Sequence, residues 1–107
     1  MKASAAHWQA RRQLPAGHPS LAGHFPGQPV YPGVVLLAEV LEAALGIEPI
    51  ARRLGAAPRI ESVKFLSPIV PGDTDTELLV RFSERTGGVD FELWHAGVLA
   101  VRGQLAG

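Results

Sequence analysis

At 107 residues the chain is long enough for one hydrophobic core and too short for two. A hydrophobic fraction of 47% and a charged fraction of 19% are those of a folded globular protein and exclude a disordered one. Ten basic residues balance ten acidic ones, so no net field recruits nucleic acid or an anionic membrane, and the lack of cysteine excludes disulfides and thiolate chemistry.

The opening stretch MKASAAHWQARR lacks the continuous apolar run of an export signal, so a cytoplasmic location is expected. Residues 6–14, AHWQARRQL, predict a weakly patterned first strand. Residues 15–32 follow as a segment rich in Pro and Gly, without periodicity. Each proline fixes its own φ and restricts its predecessor, which predicts a stiff, functional loop.

A helix is predicted from Pro32 or Gly33 to Leu45, with Gly46 as its stop. From Val34 to Leu45 it is apolar in nearly every direction, yet it carries Glu39 and Glu42. It is too short to span a bilayer, and a helix apolar all round has to be surrounded by protein. A second, short helix is predicted around Glu48 to Leu54.

From Pro58 the pattern changes to strands. RIESVKFLSPIV, TDTELLVRFSE, GVDFELWHAG and LAVRGQLAG are punctuated by PGD, TGG and Ala96–Gly97. Three hairpin-like connections in succession predict an antiparallel sheet, with Phe65 and Phe82 in the core and Asp73 bonding backbone amides in its turn. Residues 1–107 therefore read as one α+β domain whose sheet curls around the helix. So small a sheet cannot cover the helix completely, and a dimer with a continuous sheet is expected. The four histidines are scattered without metal-ligand spacing, so no metal is expected.

Two stretches carry a family likeness. GHFPGQPVYPGVVLL, residues 23–37, resembles the signature of the β-hydroxyacyl-acyl carrier protein dehydratases, and ESVKFLSPIVPGDT, residues 61–74, is similar to the strand and turn that follow their central helix. The resemblance covers roughly residues 18–105. It implies a hotdog fold, in which an antiparallel sheet wraps a long central helix, dimeric, with active sites near the subunit interface. The reaction it implies is removal of water from a β-hydroxyacyl thioester held on the phosphopantetheine arm of an acyl carrier protein, without a cofactor.

That reaction needs a base for the α-proton, an acid for the leaving hydroxyl and a donor for the thioester oxygen. Histidine titrates near neutral pH, which suits His24 to the role of base. The N-terminus of a helix presents free N–H groups and a positive dipole end, and the Gly33 amide is the candidate donor. Phe25, Tyr31, Pro32, Gly33 and Val34 are the candidate substrate-binding residues. A rim of arginines would suit an acidic carrier; among Arg11, Arg12, Arg52, Arg53, Arg59 and Lys64, the pair Arg52 and Arg53 is preferred.

The acid departs from the family pattern. It stands fourteen residues after the histidine, on the central helix, and reaches the other subunit's site; here that position is Ala38. Glu39 sits one residue on, rotated by about 100° around the helix. Glu42 lies on the same face as Ala38 but about 6 Å further along. Three readings stay open: Glu39 acts through a local shift of the helix, Glu42 acts, or neither does. The leading function is accordingly a dehydratase of fatty-acid, polyene or other secondary lipid synthesis, as a homodimer or as a heterodimer with a related hotdog subunit. The alternatives are a non-catalytic or partner-dependent subunit and an acyl thioesterase.

Overall fold

The computed structural model describes residues 6–16 and 30–107. In chain order these form β1 (His7–Leu14), α1 (Gly33–Leu45), α2 (Glu48–Leu54), β2 (Arg59–Phe65), β3 (Thr76–Arg85), β4 (Gly88–His95) and β5 (Val98–Ala106). All five strands join one antiparallel sheet in the order β1-β3-β4-β5-β2. Laid across α1, this sheet is the hotdog architecture that the motifs imply.

Alternation along the strands decides which face meets the helix. In β3, Leu78, Val80 and Phe82 are buried, while Glu77, Leu79 and Arg81 point the other way. Phe91 and Leu93 of β4 and Val101 and Leu105 of β5 complete the inner face. Against it α1 lays Leu36, Val40, Ala43 and Ala44, a stripe at helical spacing. The two small alanines let the 13-residue helix sit close to the strands, and Gly46 ends it as expected, its N–H bonding the Glu42 carbonyl.

One expectation needs correction. PGD does not close a hairpin: β2 pairs with β5 at the far edge, so residues 66–75 cross over β5 and β4 to reach β3. The true hairpins are β3–β4 and β4–β5, the second turning through Ala96 (φ 50°) and Gly97 (φ 78°), both left-handed as a two-residue type I′ turn demands. As expected of so small a sheet, this one chain does not enclose α1. Val34 is 74% exposed and Leu45 48%, and Ala38 between them is exposed too. The sheet has covered one side of an all-round apolar helix and left the other bare. Among the described residues no helix is long and apolar enough to cross a membrane.

Candidate active site

The segment Tyr31-Pro32-Gly33 delivers the chain into α1 from a fixed position. The Tyr31 N–H donates to the Ile69 carbonyl at 3.1 Å, and its buried hydroxyl lies 3.2 Å from the Thr76 hydroxyl at the start of β3. Tyr31 is thus anchored in the core, at 4% exposure, and does not line an open surface of the chain. Pro32 follows in an extended conformation (φ −60°, ψ 144°) as the N-cap residue. Its carbonyl accepts the N–H groups of Val35 and Leu36, at 3.0 and 3.3 Å. Among the described residues no side chain caps the helix. The first amides, beginning at Gly33, are therefore those that a substrate oxygen could take up.

Phe65 stands directly over this point. A Cβ built on Gly33 would come within 2.7 Å of Phe65 Cζ and 2.9 Å of Cε1. Glycine here leaves room for the ring, and the ring walls one side of the helix N-terminus. At 51% exposure Phe65 is not the core residue that strand alternation suggested, whereas Phe82, at 1%, is. Phe65 ends an edge strand, where one side has no neighbouring strand to bury it. Val34 extends the apolar surface beside it.

His24 and Phe25 lie outside the described residues, and so does most of the loop that carries them. The two glutamates are described, and both are engaged. Arg12 Nε donates to Glu39 Oε1 at 2.9 Å and Arg12 Nη2 to Glu42 Oε2 at 2.8 Å. The Glu39 side chain is largely covered, at 15% exposure, and that of Glu42 is open at 63%. Sequence reasoning counted Arg12 only among the possible carrier-binding basic residues and missed its pairing with the two glutamates. The signal was available: Arg12 interrupts the inward-facing series Trp8, Ala10, Leu14 of β1 with a charge. An inward arginine needs an acidic partner, and an apolar helix with two glutamates supplies it.

The preferred carrier-binding pair is also engaged within the chain. Arg52 pairs with Glu48 one turn back along α2, and Arg53 Nη2 donates to Glu84 at 2.6 Å. In the connection from β2 to β3, Asp75 is the acid that accepts a backbone amide, from Ala16 at 3.1 Å, in place of the expected Asp73. A groove of about 640 Å³ opens on the opposite face of the sheet, floored by Leu79, Arg81 and Trp94; Arg11 lines it, and none of the described catalytic or substrate-binding candidates does.

Similarity to known proteins runs in the same direction. A family model described as ApeI-like, ApeI dehydratase, matches residues 1–104. The 3-hydroxyacyl-(acyl-carrier-protein) dehydratase FabZ of Haemophilus influenzae is 35% identical over 105 residues, covering 92% of this chain and 67% of its own length. Its counterpart from a Wolbachia species of Drosophila simulans is 36% identical over 70 residues, 62% of this chain and 49% of that protein. The chain thus spans between half and two thirds of these relatives. Among solved structures, the dehydratase heterocomplex ApeI:P from Xenorhabdus doucetiae has a TM-score of 0.70 at 26% identity, over 99% of this chain and 97% of that one. The pyran synthase domain from module nine of the sorangicin pathway has a TM-score of 0.72 at 25% identity, over 99% of this chain and 36% of that one.

Proposed function

We propose, because this chain belongs to the ApeI-like dehydratase family, that it removes water from a β-hydroxyacyl thioester carried on an acyl carrier protein. The observation that carries this reading is the N-terminus of α1, uncapped by any side chain among the described residues and walled by Phe65 at Gly33. Its amides are fixed in place before the substrate arrives, and they stabilise the negative charge that develops on the thioester oxygen once the α-proton leaves. His24, in the HFPG motif nine residues before Gly33, takes that proton. Proton loss and departure of the β-hydroxyl as water leave the enoyl thioester; the hydroxyl needs one proton from an acid.

The acid is where a partner enters. Ala38 offers no carboxylate on the exposed face of α1, beside Val34 and Leu45. A second hotdog subunit laid on that face would cover the apolar stripe, and a related, non-identical one could bring an acid of its own. The structurally similar ApeI:P dehydratase of Xenorhabdus doucetiae is a heterocomplex, which supports the same reading. Fatty-acid, polyene or other secondary lipid synthesis in the cytoplasm is the setting proposed.

The test follows enoyl absorbance in both directions of the hydration equilibrium, with hydroxyacyl chains of several lengths on carrier protein, for the chain alone and mixed with a related hotdog subunit. Turnover in either sample is expected, and higher turnover in the mixture supports the shared site. Release of free thiol with no enoyl product would favour a thioesterase, and no reaction in either sample would contradict the proposal.

A further inference from the structure

We propose that Arg12 is the positioning residue of this site: its fork holds Glu39 and Glu42 together and so fixes the rotation and height of α1, which carries the Gly33 amide. The inference rests on the dehydratase reading above and concerns how the site is built.

Three observations lead to it. The contacts that seat α1 on the sheet are made by Leu36, Val40, Ala43 and Ala44, and apolar packing of small side chains has no direction of its own. The two bonds from Arg12 are, among the described residues, the only side-chain hydrogen bonds that α1 makes. They originate from an inward-facing position of β1, opposite the buried Leu78 of β3, so the guanidinium is tied to the sheet frame.

The geometry of the fork matters. Glu39 and Glu42 are three residues apart and therefore neighbours on the helix surface, one turn above the other. A guanidinium bonded to both through Nε and Nη2 resists rotation of the helix and sliding along it. A lysine, with one compact charge, cannot make the same planar contact. Six residues separate Gly33 from Glu39, about 9 Å of helix, so an error at the fork is transmitted to the amide by a rigid rod. Misplacement of a catalytic group by about 1 Å costs on the order of a hundredfold in rate. On this account both glutamates serve Arg12, and neither is the proton donor.

The experiment measures kcat and KM of the active assembly carrying Arg12→Ala, Arg12→Lys, or the double substitution Glu39→Gln with Glu42→Gln. Glutamine keeps a side-chain oxygen for Arg12 but cannot supply the proton. Expected are a fall in kcat of tenfold or more for Arg12→Ala with KM little changed, a smaller fall for Arg12→Lys, and a loss below tenfold for the double glutamine variant. A loss below tenfold for Arg12→Ala would overturn the proposal. So would a loss of tenfold or more for the double glutamine variant, because general-acid catalysis is worth about 10²–10⁴. Should Arg12→Ala not fold, Arg12→Lys takes its place, with a threefold fall as the threshold. The amide resonance of Gly33 gives a readout independent of turnover: it shifts in the Arg12 variants if the fork holds the helix. An unmoved resonance overturns the proposal even if the folded wild type is inactive, whereas that inactivity counts against the dehydratase reading alone.

Discussion

Phe65 packs so closely on Gly33 that no other residue fits beneath the ring as it stands: a methyl group there would lie 2.7 Å from Cζ. The ring is half exposed and ends an edge strand, so it can swing aside at small cost. Gly33→Ala is therefore expected to change stability by less than about 1 kcal/mol while lowering turnover on the order of ten- to a hundredfold, because the displaced ring and the new methyl crowd the amide. Denaturant midpoints and kcat on the same samples check this. Replacing Phe65 by Leu in the Gly33→Ala background should recover part of the rate; an unchanged rate in Gly33→Ala would remove the helix N-terminus from the site.

Tyr31 and Thr76 share a buried hydroxyl contact at 3.2 Å that pins the entry to α1 onto β3. Tyr31→Phe leaves the Thr76 hydroxyl, in a residue 4% exposed, without that partner. The expected cost is about 1–2 kcal/mol, read as a lower urea midpoint. Adding Thr76→Val should recover some of it, since removing both polar groups avoids stranding either. A Tyr31→Phe protein as stable as wild type would contradict the role of this contact.

Ala96 adopts φ 50° in the β4–β5 turn, a left-handed conformation that penalises a side chain with a Cβ. Ala96→Asn or Ala96→Gly should raise stability by about 1 kcal/mol, and Ala96→Val should lower it. Thermal denaturation of the three variants decides; a lower midpoint for Ala96→Asn would mean that the turn is not held as described.

These positions also mark how far local pattern carries. The bounds of α1 were legible because Pro32–Gly33 and Gly46 punctuate a continuous apolar run, and the Ala96–Gly97 hairpin because a two-residue turn between alternating segments has few solutions. The partner of β2 was not legible. Alternation states which face of a strand is buried but not which strand lies beside it, so PGD read as a hairpin when β2 in fact pairs with β5. The same gap misplaced Phe65, whose exposure follows from the edge position of its strand. The proposed base His24 and the proposed amide donor Gly33 could be named from the family likeness of GHFPGQPVYPGVVLL. The Arg12 contacts could not, because they join residues 27 and 30 positions apart. The inward charge on β1 hinted at such a partner, and only the folded geometry identifies it.

Whether this chain supplies the base of a dehydratase site is decided by comparing wild type with His24→Ala in the assembly that turns over carrier-bound β-hydroxyacyl thioester. A loss of at least a hundredfold in kcat is expected, with stability and subunit assembly retained. Full activity of the His24→Ala assembly would contradict that role, and would make this chain a subunit that supports catalysis performed elsewhere.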